Sequence, residues 1–311
     1  GLSQWLRHPN NPLTARVAVN RYWQMIFGKG LVATPDDFGV QGQLPSHPEL
    51  LDWLAISFSE NWDVKALIKK MVLSQTYQQQ SVSNPTLDQK DPENLLLARA
   101  NAARLPAEII RDNALKISGL LNPKIGGESV LPYQPKGLWK EKNNFSAFLL
   151  EYKESQGEDL YRRGLYTFIR RTSPPPNMVT FDATSREVCT VKREVTSTPL
   201  QALVLLNDPQ FFEASRVFAE RIINSKNTLE EQISHGFRLA TARHPRENEL
   251  EILVDLYNSQ YQYFRQNRDK AYRVISVGEK PRDKSINIAK TAAMTMVANT
   301  LLNHDETYTK R

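Results

Sequence analysis

Apolar residues recur every three or four positions through most of this chain, which is the spacing of amphipathic helices. The first stripe is Val19, Trp23, Ile26 and Phe27. It follows Asn11-Pro12, a helix start in which proline takes a first-turn position that needs no donor. Gly28 ends it, and Arg16, Asn20 and Gln24 form a polar row along it. Ser46 and Glu49 have the spacing of a capping box and open a second helix with Leu50, Leu51, Leu54 and Phe58 inside. Asp63 caps a third, running to about Tyr77 through Val64, Leu67, Ile68, Met71 and Val72. A fourth begins near Leu105-Pro106, with Ile110, Ala114, Ile117 and Leu121 on one side.

Later helices start at Thr198-Pro199, at Asp208-Pro209 and at the Thr228–Glu231 capping box. Two more span about 247–264 and 285–303. Between the two sets the pattern changes. Residues 78–94 read as a polar linker, and 136–160 carry no decisive period. Leu160–Arg171 is rich in aromatic and β-branched residues and is expected to be a strand. Pro174–Pro176 are expected to be extended. The chain is therefore expected to be mainly α, a multi-helix domain with a small irregular β element near 160–195. It divides into an N-terminal helical part, 1–125, and a second part, 126–311, within one continuous domain. Trp23, Phe27, Trp53, Leu54, Ile68, Leu203 and Leu206 lie on apolar helix faces and are expected in the core.

The length of 311 residues, with 40% apolar and 24% charged residues, suits a globular protein rather than a disordered one. No apolar run is long enough to span a bilayer as a helix. The single cysteine, Cys189, excludes an intramolecular disulfide and any haem attachment through Cys-x-x-Cys-His. Flanked by Val188 and Val191, it is expected to be a buried small apolar residue. The chain opens on Gly1 without an initiator Met, as the trimmed part of a longer protein would.

Charge alters this picture at one place. Seven basic residues (Arg162, Arg163, Arg170, Arg171, Arg186, Lys192 and Arg193) lie in a window whose acids are Asp182 and Glu187. Arginine forks bind planar and tetrahedral anions, and Tyr166 and Phe181 offer stacking faces. The candidate ligand site is Arg163, Arg170, Arg171, Asp182, Arg186 and Arg193 with Tyr166 and Phe181. Chain geometry allows Arg170, Arg171, Arg186 and Arg193 to converge, with Asp182 orienting one of them. The competing reading ties these arginines to acids such as Glu108, Asp112 or Asp36 as internal clamps.

A second candidate pocket combines Arg16, Asn20, Arg21, Asp36, Asp37 and His47. Its two adjacent carboxylates could bind a hard cation, but such loops need more oxygen donors at set spacing, so a turn and a salt bridge are the plainer reading. No metal site is expected, and the histidines match no ligand spacing. Glu108, Arg111 and Asp112 share a helix face, where an ion-pair network is expected over acid–base chemistry. No catalytic residue is assigned, because no nucleophile, phosphate or dinucleotide motif occurs.

Several stretches resemble a bacterial family. These are NPLTARVAVNRYWQMIFGKGLVATPDDFGVQGQLPSHPELLDWLA, RLPAEIIRDNAL, RRGLYTFIRRTSPPPNMVTFDATSREVCTVKREVTSTPLQALVLLNDPQF, FRLATARHP and TMVANTLLNHDE. In order along nearly the whole chain, they resemble a planctomycete-type domain of unknown function that follows cytochrome-c-like haem domains in multidomain proteins. The resemblance implies an extracytoplasmic location, in periplasm or at the cell surface. It also implies the haem-domain portion of the same polypeptide as partner, with haem only there and no cofactor in this chain. It carries no established activity. The expected role is a non-catalytic binding or assembly module, with an anionic glycan as possible ligand. The alternative is an enzyme acting on sulfated or uronic polysaccharide. Nucleic acid is the least favoured partner, since it needs a continuous basic surface.

Overall fold

The computed structural model describes residues 1–82, 84–139 and 152–310. Its chain separates into two compact units, Gly1–Arg104 with Thr309–Arg311, and Leu105–Tyr308. Both are helical, and the named strands are two-residue pieces.

The first unit holds α1 (Leu2–Leu6), α2 (Thr14–Phe27), α3 (Pro48–Ser59), α4 (Val64–Val72) and α5 (Pro85–Lys90). Asn11 Oδ1 accepts from the Leu13 and Thr14 amides ahead of α2, and Gly28, at φ 84°, ends that helix. Its core packs Val19, Trp23 and Phe27 of α2 on Leu51, Leu54 and Phe58 of α3 and on Leu67 and Met71 of α4. Trp23 stacks on Phe27 at 3.9 Å between centroids. The strands β1 (Ala103–Arg104) and β2 (Thr309–Lys310) pair antiparallel, Ala103 opposite Lys310.

Several expectations fail in this unit. Trp53 is 54% exposed and Ile68 is also exposed. Helix α3 is apolar on more than one side, and the buried arc of Leu51, Leu54, Ala55 and Phe58 leaves Trp53 on the opposite side. There Lys70 Nζ sits 4.5 Å from its ring centroid. The capping box at Ser46 does not form. Pro48 fixes the first helical position, so His47 becomes the N-cap without a side-chain bond to the helix. The polar linker contains α5, capped by Asn84 on the Leu87 amide.

The second unit holds α6 (Ala107–Ser118), α7 (Pro176–Thr180), α8 (Pro199–Asn207), α9 (Pro209–Ile223), α10 (Leu229–Thr241), α11 (Glu247–Gln266), α12 (Arg268–Ile275), α13 (Ile288–Leu302) and α14 (Asp305–Tyr308). Helix α13 is its axis and packs against α9, α11 and α12. Ala292, Ala293, Met294, Val297 and Ala298 on it are fully enclosed, as expected of a helix apolar all round. Side-chain caps at Asp208, Thr228 and Asn287 start α9, α10 and α13.

The sequence-based strand over 160–171 is not a strand. It forms 3-10 turns at Gly157–Tyr161 and Gly164–Tyr166, with single bridges from Asn122 to Arg162 and from Val130 to Thr167. The reason is Arg111 on α6. Its buried guanidinium donates to the carbonyls of Leu160 and Arg162, two acceptors that a ladder would have used. Pro176 is the first residue of α7 rather than extended. Leu203 is 51% exposed and Leu206 half-buried, because the inward positions of α8 are Gln201 and Leu205. Cys189 is exposed, not buried. The pattern-poor stretch 140–151 lies outside the described residues.

Candidate functional site

The arginine window resolves into three local arrangements rather than one pocket. Arg162 is structural: 2% exposed, it donates to the carbonyls of Glu128, Gly126 and Lys124 and lies over the Tyr166 ring at 3.8 Å. Tyr166 also accepts the Gly126 amide, so its ring belongs to this clamp. Phe181 is 2% exposed and packs in the core, which removes it from any binding face.

Arg170 goes elsewhere. It lies over Trp139 at 5.2 Å and donates to the Trp139 carbonyl and to Thr172. Arg171, next to it, is exposed.

The third arrangement is built on α6. Glu108 accepts both arms of Arg193, at 2.7 and 3.2 Å. Burial alone would raise the Glu108 carboxyl, but Arg193 and the nearby Arg186 charge outweigh it and hold the carboxyl below its ordinary value. One helical turn on, Asp112 accepts the Gly164 amide at 2.6 Å. Burial pushes Asp112 up, against the pull of Arg111 and Arg163. Gly164 allows this close approach, since a Cβ there would lie a tight 3.1 Å from the Glu108 backbone. Asp182 anchors the returning chain by accepting from the Thr196 amide and hydroxyl at 2.9 Å. Between those anchors, residues 185–190 and 192–198 form an exposed strap. Arg186 stands on it in a left-handed conformation, φ 61°.

The second candidate set is spread over separate contacts in the first unit. Arg16 pairs with Asp52 at 2.7 Å, and that bond lowers the Asp52 carboxyl. Asn20 is fully buried and exchanges hydrogen bonds with both backbone groups of Val32, with Gly30 so close that a Cβ would clash with it. Asp37 accepts the Gly39 amide in a tight turn, and His47 pairs with Ser46. Arg21 and Asp36 are exposed. Among the described residues no group of three or more His, Cys, Asp or Glu stands close enough to hold a metal ion. No helix among them is long and apolar enough to cross a membrane.

One polar centre escaped sequence reasoning. Glu213 on α9 is 1% exposed and accepts from Tyr161 Oη at 2.9 Å and the Lys280 amide at 2.7 Å. Arg216, one turn on, is fully enclosed and donates to the Val277 and Lys280 carbonyls and to Glu220. Burial and the neighbouring Glu213 charge push the Tyr161 hydroxyl far up, so it stays a donor. A pocket of about 420 Å³ opens above this centre between Asn122, Glu158, Tyr161 and Glu279. The network fixes the loop at 277–280 and is structural. Its only sequence signal is two charged residues on the core face of α9.

Compared with known proteins, no curated protein and no solved structure matches the chain. A family described as "PSD1: Protein of unknown function (DUF1553)" matches residues 1–257. That match covers the whole first helical set, the arginine window and the Glu108–Arg193 site, so this chain belongs to the DUF1553 family.

Proposed function

We propose that this chain is a non-catalytic binding module that takes an anionic glycan at the strap around Glu108. The supporting observation is a charge imbalance. Three arginines, Arg163, Arg186 and Arg193, surround two carboxylates, and burial pushes one of these, Asp112, toward its neutral form. Arg163 and Arg186 are exposed, so their forks can meet a sulfate or uronate group. Exposed loop side chains held by a rigid helix are the usual place for recognition. In the full protein this module docks beside cytochrome-c-like haem domains outside the cytoplasm, and the haem belongs to those domains.

Calorimetry with a sulfated disaccharide and a uronic oligosaccharide tests this. Arg163→Ala and Arg186→Ala are expected to weaken binding at least tenfold, the loss of one charged hydrogen bond of about 1.5–3 kcal/mol, with the melting temperature unchanged. Absence of binding to the unaltered protein would defeat the proposal.

A second reading rests on the opposite shifts of Glu108 and Asp112, one carboxyl held down and the other pushed up one turn apart. Environments that split two carboxyls can assign acid and base roles. Release of new reducing ends from a sulfated or uronic polysaccharide, abolished by Glu108→Gln, would make the chain an enzyme.

A further inference from the structure

A second concentration of positive charge lies outside the arginine strap. A pocket of about 420 Å³ opens where the C-terminal end of α11, the start of α12 and the loop before α13 meet. Arg265, Arg268, Arg282 and Lys284 line it, Tyr261 forms one wall, and no carboxylate is among its lining residues. Like charges gathered around one cavity repel unless something anionic offsets them. Among the described residues none of the four forms an ion pair. Arg265 lies over the Tyr261 ring at 5.7 Å, and Arg282 donates only to the Asp283 carbonyl, at 3.5 Å. The nearby Asp283 carboxylate bonds Ser285 and Asn224 and is also held down by the Arg282 charge, so Arg265, Arg268 and Lys284 carry the pocket's excess.

Two further features bear on the ligand. The floor is apolar where Phe264 and Ala289 are buried, which gives a ligand's ring a surface to rest on. The mouth also includes the first turn of the 15-residue α13. Of its first four amides, those of Ala289 and Lys290 are taken by the Asn287 side chain and that of Thr291 by the Asn287 carbonyl, which leaves the amide of Ile288. The volume exceeds what a bare sulfate needs and suits a ring carrying several anionic groups.

We infer that this pocket binds a compact polyanion, a sulfate or phosphate ester on a small ring, at a site separate from the strap. The site requires no covalent step and no metal.

The test is titration calorimetry of the full chain at about 150 mM salt, with sucrose octasulfate and inositol hexakisphosphate as probes. The four cations are mostly exposed, so Arg268→Ala/Arg282→Ala folds normally, which its melting temperature verifies. That double variant is expected to lose at least tenfold in affinity for the better probe. Lys65→Ala/Lys69→Ala, which removes two exposed cations of α4, is expected to bind as the unaltered protein does. The tighter-binding probe tells a sulfated from a phosphorylated ligand. The inference is overturned if neither probe binds, if Arg268→Ala/Arg282→Ala binds as well as the unaltered protein, or if both double variants lose affinity equally.

Discussion

Arg193 grips Glu108 through both arms of its guanidinium across 85 positions of sequence. Glu108 stands on a helix rigidly packed in the core of the second unit, while Arg193 stands on an exposed strap. The pair therefore fixes a loop that has few apolar contacts of its own.

Replacing Arg193 with Ala is expected to destabilise the chain by about 1–2 kcal/mol, the range for a two-armed charged hydrogen bond open to water on one side. Its signature is in titration. Glu108 is held below its ordinary value of 4.5, so the pair contributes stability above that pH and loses it as pH falls through the lowered value. In Arg193→Ala the Glu108 carboxyl, followed by NMR, is expected to move upward. An unmoved carboxyl would show that the pair does not form in solution.

A sharper acid dependence belongs to Arg243. It donates to Glu249 at 2.7 and 2.8 Å and to Glu306 at 2.7 and 3.1 Å. The Arg243 hydrogen bond brings the Glu249 carboxyl down from 4.5 to about 2. A depressed carboxyl gives stability that is complete above about pH 4.5 and lost progressively toward pH 2. Urea unfolding across that window is expected to show a steeper fall for the unaltered protein than for Arg243→Ala. Parallel curves would remove the network from the acid response.

The helix starts were legible because their chemistry is local. Asp63, Thr228 and the Pro199 and Pro209 first-turn positions are where sequence placed them. Burial was less legible on helices apolar on several sides. Trp53 sits in such a helix, and only the position of α2 and α4 decides which side goes inward. The 160–171 stretch has strand composition, and nothing nearby reveals that Arg111 takes its carbonyls. The arginine window was found from composition alone, but its division among Tyr166, Trp139 and Glu108 depends on tertiary partners. The basic pocket at α13 left no local signal, because Arg268 and Arg282 are brought together only by the fold.

The two tryptophans of the first unit give a direct comparison. Trp23 is 5% exposed and stacked on Phe27, and Trp23→Ala is expected to cost about 3–5 kcal/mol. Trp53→Ala removes a half-exposed ring whose one named contact is Lys70, and is expected to cost under about 1 kcal/mol. Chemical denaturation of both variants measures the difference. Equal losses would put Trp53 in a core after all, whereas a small loss leaves its ring available to stack on a sugar.

The buried Glu213 depends on a missing side chain. Gly278 is at φ 90°, and a Cβ there would lie 2.1 Å from the Glu213 Cδ. Glu213 cannot move aside, because Tyr161 and the Lys280 amide hold it and Arg216 fills the space beside it. Gly278→Ala therefore combines a left-handed backbone cost with an overlap in a packed interior, and about 2–4 kcal/mol of destabilisation is expected. Glu213→Ala alone is expected to cost about 3 kcal/mol or more, since Tyr161 and the amide lose their acceptor and Arg216 loses a neighbouring charge. In the double variant the overlap is gone, so its loss is expected to fall short of the two single losses together by more than about 1 kcal/mol. Urea denaturation of the four proteins closes this cycle. Additivity within about 0.5 kcal/mol would mean that the glycine is needed for its backbone angle alone, and not to make room for the carboxylate.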